Sequence, residues 1–93
     1  MEAMNQMKNK VLINLVVPEL DMNFDVFIPV NEYIWRIKKL FLKSISDLAN
    51  LSLNPELDYI LLNKDTGKLY TNNQIIMQTD IRNGTELFFI SNR

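Results

Sequence analysis

The apolar positions along this chain switch from a strand-like to a helical spacing and back. Residues 10–17 are rich in Val, Ile and Leu, which predicts a first strand. Pro18 has no amide hydrogen for a ladder, so that strand ends near it and 18–23 forms the connecting turn. Residues 24–28 predict a second strand closed by Pro29, and the short gap makes the pair a hairpin. Ile34, Ile37, Phe41, Ile45 and Leu48 then follow helical spacing and form one apolar stripe. Arg36, Lys39, Lys43 and Asp47 lie on the opposite side, with Lys38 at the edge. Asn31 or Glu32 is placed to cap this helix, which runs to about Asn50 before Asn54-Pro55 breaks the chain.

Residues 59–62 predict a third strand, 63–67 a turn in which Gly67 takes positive φ, and 68–71 a short return strand. Residues 72–80 are an irregular crossing segment carrying Ile75, Ile76 and Met77. Asn83-Gly84 is a turn signal, since both residue types tolerate positive φ, and it launches a last apolar run from Leu87 to Ile90. One helix covering one face of a mixed four- to five-stranded sheet is an α+β layer pair. The ββαββ order is that of the β-grasp, or ubiquitin-like, fold, in which the last strand lies mid-sheet beside the first. We expect a single domain over 10–93 preceded by a mobile arm over 1–9, where no periodicity is visible.

Composition narrows the chemistry. The chain has 93 residues, no Cys and no His. Thiol nucleophiles, disulfides, imidazole and thiolate metal ligands and the commonest general base are therefore absent. Ser44, Ser46 and Ser52 have no histidine base, and Gly67 and Gly84 cannot make a glycine-rich phosphate loop. Glu19 with Asp21, and Glu56 with Asp58, are close carboxylate pairs in predicted turns, where such groups usually face water or bind backbone donors. The reading is of a protein that is not an enzyme and binds no cofactor or metal. A net charge of −1 supplies no electrostatic footprint for nucleic acid. No apolar run approaches the roughly 20 residues of a membrane span, and residues 1–10 lack a signal-peptide core, so a cytoplasmic location is expected.

Two surfaces stand out. Alternation along the last strand puts Leu87 and Phe89 on one face and Phe88 and Ile90 on the other. Asn14 marks the solvent side of the first strand and brings Leu12 and Val16 with it; Asp25 does the same for Phe27 in the second. Leu12, Val16, Phe27, Phe88 and Ile90 thus share an outer sheet face, either shielded by neighbouring segments or open to a partner or a second copy. On the helix, Arg36, Lys39 and Lys43 form either a solvated basic face or a dock for an acidic surface. Trp35 beside them is either an edge-of-core residue or a contact anchor. Attachment to a membrane surface is disfavoured, because the helix's apolar stripe is needed by the sheet.

Longer stretches carry a family resemblance. Asp25-Val26-Phe27-Ile28-Pro29, a four-residue gap and Ile34 resemble the strand-to-helix passage of the YukD/EsaB family. These are small ubiquitin-like proteins encoded with the type VII (ESX-like) secretion machinery of Gram-positive bacteria. Residues 69–81 are similar in length and apolar placement to that family's crossing loop. Ile81-Arg82-Asn83-Gly84-Thr85-Glu86-Leu87 is similar to its closing motif, with Thr85 where Asp is common. Tyr33 stands where many members have Pro, and residues 1–9 are an extension. The resemblance spans roughly residues 10–91.

The resemblance implies a cytosolic, non-catalytic accessory or regulatory component. Its implied partner is a cytosolic part of a secretion-system membrane component or ATPase. A ubiquitin-like modifier or sulfur carrier is the main alternative, but that chemistry needs a C-terminal glycine and a narrow tail, which Ser91-Asn92-Arg93 does not offer. A generic β-grasp adaptor unrelated to secretion is the other alternative.

Overall fold

A computed structural model describes residues 9–50 and 53–92; the expected arm lies outside the described residues except for Asn9. Strands β1 (Lys10–Val17) and β2 (Met22–Pro29) form the antiparallel hairpin, followed by helix α1 (Ile34–Ala49). Then come β3 (Tyr59–Asn63), the two-residue β4 (Leu69–Tyr70) and β5 (Glu86–Ser91). The five-stranded sheet has the order β2-β1-β5-β3-β4. β5 is parallel to β1 and antiparallel to β3, so the last strand sits mid-sheet as its apolar run requires.

Strand β2 starts two residues earlier than the sequence pattern suggests. The reversal is tighter than a six-residue turn: Pro18–Leu20 form one 3-10 turn, and Asp21 adopts the left-handed conformation at φ 52°. The Asp21 amide donates to the Pro18 carbonyl at 3.0 Å, which frees Met22 for the ladder opposite Val17. The crossing segment is also more ordered than expected, containing a 3-10 turn over Ile76–Gln78 whose Ile76 is buried.

The helix start corrects another expectation. Neither Asn31 nor Glu32 caps α1; Tyr33 occupies the cap position and supplies no side-chain hydrogen bond. Instead the first free amides find tertiary acceptors: Ile34 donates to the Gln74 carbonyl at 2.8 Å and Trp35 to that of Asn72 at 3.3 Å. Glu32 is used elsewhere. Its carbonyl accepts the Ile76 amide and its carboxylate pairs with Arg36 at 3.4 Å.

Ile34, Ile37, Phe41 and Ile45 are buried against the sheet, as the stripe predicts. Leu48 is not: it is 60% exposed. The inward stripe continues from Ile45 by four positions to Ala49, which packs against the core, leaving Leu48 to turn outward. Phe89 is the aromatic centre of the core, stacked on Tyr59 at 4.8 Å and meeting Phe41 edge-on at 5.6 Å. Among the described residues no buried side-chain nitrogen or oxygen lacks a partner.

Candidate interaction surface

Residues opposite one another in adjacent strands share a face, so the register assigns the outer surface row by row. One row is Phe27 and Leu12. The next is polar: Asp25, Asn14 and Glu86 lie side by side on β2, β1 and β5. Asn14 Nδ2 donates to Asp25 Oδ1 at 3.1 Å, and Lys64 Nζ reaches Glu86 Oε2 at 3.3 Å. Beyond it lies an apolar row across four strands: Val16, Phe88, Leu62 and Leu69. Ile90 and Ile60 form the row after that.

Leu12, Val16, Phe27, Phe88 and Ile90 therefore lie on one face, but the polar row divides them. Leu12 and Phe27 form a small exposed pair, 37% and 48% accessible. Val16, Phe88 and Ile90 belong to a larger cluster with Ile60, Leu62 and Leu69. Its inner members are half-buried because these large side chains stand against each other, while Leu69 at the rim is 54% exposed. Sequence reasoning missed Ile60, Leu62 and Leu69. In Tyr59-Ile60-Leu61-Leu62 every residue is apolar, so alternation has no polar marker with which to tell the faces apart; only pairing with Phe88 and Ile90 does.

The helix presents a second surface on the opposite side of the molecule. Trp35 is 39% exposed and stands in a roughly parallel stack with Tyr33, ring centres 6.4 Å apart. The Lys39 ammonium lies 5.3 Å from the Trp35 ring centre. Trp35, Arg36, Lys39, Leu40 and Lys43 line an open groove of about 470 Å³. Lys38 is set apart from this face. Its Nζ donates to Asn72 Oδ1 at 2.7 Å, and partial burial lowers its pKa against an opposing pull from Asp58.

Among the described residues no group of three or more carboxylates is placed to hold a metal ion. Glu19 Oε1 accepts the Ser91 amide at 2.7 Å, tying the hairpin turn to the end of β5. The other side-chain network links Asn63, Tyr70 and Asp80. Asn63 Nδ2 donates to the Tyr70 hydroxyl at 3.2 Å, and the hydroxyl donates to Asp80 Oδ1 at 2.5 Å. Asn63 Oδ1 meanwhile accepts the amides of Asp65 and Thr66, shaping the β3–β4 turn. These bonds are structural: they fasten the crossing segment to the sheet. No helix among the described residues is long and apolar enough to cross a membrane.

No protein-family model matches the chain, and no curated protein does. Solved structures match well. A ubiquitin-like domain of EccD5 from Mycobacterium xenopi superposes at TM-score 0.67 with 13% identity, covering 90% of this chain and 96% of that domain. A chain of the ESX-5 inner membrane complex gives TM-score 0.67 and 16% identity over 90% of this chain, which spans only 21% of that component. The ubiquitin-like domain of Dsk2 from Plasmodium falciparum gives TM-score 0.69 and 13% identity, covering 89% and 99%. With one helix on a mixed five-stranded sheet, the chain has the ubiquitin-like β-grasp fold.

Proposed function

We propose that this chain is a non-catalytic ubiquitin-like interaction module of a bacterial type VII secretion system. It works in the cytoplasm by surface complementarity and not by conjugation. The observation that carries the reading is the apolar row Val16–Phe88–Leu62–Leu69 with Ile60 and Ile90 beside it, on the sheet face that the helix leaves uncovered. Burying such a row against a protein supplies affinity, and the polar row Asp25–Asn14–Glu86 along its edge sets orientation. The similarity to ubiquitin-like domains of ESX-5 components, together with the resemblance to YukD/EsaB, supports the secretion context. The partner in this reading is a cytosolic part of a secretion-system membrane component or ATPase. The backbone is part of the fold through Asn92: Ser91 N–H binds Glu19, and Asn92 N–H binds the Asp58 carbonyl at 2.8 Å.

The test is co-purification from native membranes and cytosol, with partners identified by mass spectrometry. Tagged wild type is compared with Leu69→Ser and with the Phe88→Ser/Ile90→Ser double variant. Secretion components recovered with wild type and lost with Leu69→Ser, at unchanged thermal stability, support the proposal. Full recovery with both variants removes the sheet face from the interaction. Recovery of unrelated proteins alone favours a generic adaptor, and an added partner mass on the intact chain favours a modifier.

A further inference from the structure

The helix surface has a different chemistry from the sheet face and calls for a different ligand. Helix α1 holds Arg36, Lys38, Lys39 and Lys43 against one anion, Asp47, in a chain whose net charge is −1. The helix therefore carries a net positive charge, while the residues outside it are collectively acidic. Lys38 is held by Asn72 and Arg36 by Glu32, but Lys39 and Lys43 form no ion pair among the described residues. Two apolar side chains stand exposed between these cations, Trp35 at 39% and Leu40 at 38%. The α1 amide donors are no part of this surface, since Ile34 and Trp35 already bind Gln74 and Asn72.

We infer that this face of α1 docks an acidic segment of a partner protein that also carries an apolar anchor. Carboxylates pair with Lys39, Lys43 and the outer side of Arg36, and the anchor covers Trp35 and Leu40 in the groove they line. Charge complementarity selects the occupant: a basic segment meets Arg36, Lys39 and Lys43, and a purely apolar one leaves Lys39 and Lys43 desolvated without partners. Trp35 is suited to the anchor role because Tyr33 and Lys39 hold its ring in place before binding. Asp58, which lines the adjoining groove with Lys38, Lys39 and Trp35, repels the acidic segment toward the Arg36–Lys43 side. This site does not depend on the sheet face, which lies on the opposite layer.

Trp35 is the chain's single tryptophan, so its fluorescence reports on this surface alone. The probe is a short peptide alternating leucine with pairs of glutamate, titrated into the full chain; the control replaces each glutamate by lysine. The expected result is a saturable blue shift of Trp35 emission with the acidic peptide only. Raising the salt weakens binding, and Lys39→Glu/Lys43→Glu lowers affinity by roughly tenfold or more. Phe88→Ser/Ile90→Ser leaves the titration unchanged, which separates this result from failure of the sheet-face proposal. Three outcomes overturn the inference: no saturable shift, equal response to both peptides, or binding unaffected by the charge-reversed variant. A fourth is salt-sensitive self-association in which Trp35 is already covered, assigning the face to a second copy of the chain.

Discussion

The side-chain oxygen of Asn83 accepts the backbone amide of Leu12 at 2.7 Å, joining positions 71 residues apart. The Gly84 amide returns a bond to the Leu12 carbonyl at 2.8 Å, so both backbone polar groups of Leu12 are satisfied by the turn that launches β5. Asn83 is therefore valuable for its side chain and not for positive φ, which among these two residues belongs to Gly84 alone, at 88°. This bond extends the parallel β1–β5 pairing past its last strand partners, Asn14 and Glu86.

Asn83→Ala removes that acceptor and is expected to cost about 0.5–1.5 kcal/mol in urea unfolding. Asn83→Asp keeps an acceptor oxygen and stays closer to wild type. Gly84→Ala costs about 1–2 kcal/mol by a different route. Its Cβ meets no atom within 4 Å, so the penalty comes from the backbone conformation alone. A null result for Gly84→Ala would show that this turn relaxes to negative φ.

Phe88 and Phe89 are neighbours with opposite roles. Phe89 is fully buried between Phe41 and Tyr59, and Phe89→Ala is expected to cost about 3–5 kcal/mol. For a domain whose stability is on the order of 5–10 kcal/mol, that leaves little folded margin. Phe88→Ala removes a half-buried side chain from the outer row and costs clearly less. Chemical denaturation of the two variants side by side checks the ordering.

Along α1 the same contrast separates Ile45 from Leu48. Ile45→Ala, in the core, is expected to lose about 2–5 kcal/mol. Leu48→Lys changes stability by within about 0.5 kcal/mol, because its side chain already faces water. A large loss on Leu48→Lys, measured by thermal melting, would contradict the outward orientation.

Tyr70 and Asp80 make stability depend on pH at both extremes. The Tyr70 hydrogen bond, the leading cause, holds the Asp80 carboxyl below its usual range. Its contribution is therefore present above about pH 4 and is lost as pH falls through the lowered folded value. Tyr70 itself, buried and bonded to Asp80, is pushed up to about 12. Its neutral form is favoured by folding, so that contribution is present below about pH 10 and is lost as pH rises toward 12. Tyr70→Phe should flatten both limbs of a plot of unfolding midpoint against pH; unchanged limbs would assign them to other groups.

Much of this architecture was legible in the chain. β1 carries its own boundary in Pro18, and Ile34, Ile37, Phe41 and Ile45 mark the helix's inner face by spacing alone. These are properties of neighbours along the chain: an absent amide hydrogen, a 3.6-residue period, a left-handed glycine. The features that escaped are set by contacts between distant segments. The start of α1 looked like a side-chain cap at Asn31 or Glu32, but the Gln74 and Asn72 carbonyls bind its first amides. Leu48 fitted the stripe locally, yet Ala49 takes the inward position.

The candidate surface divides in the same way. Alternation alone identified Phe88 and Ile90 as facing away from Leu87 and Phe89. Only the pairing of β5 with β3 and β1 joined them to Ile60, Leu62 and Val16, and separated them from Leu12 and Phe27 by the Asp25–Asn14–Glu86 row. A period of two fixes which way each side chain of one strand points relative to its neighbours, so it is readable from sequence. Which strands lie side by side, and in what register, depends on the hydrogen-bonded ladder between them, and that exists only in the folded sheet.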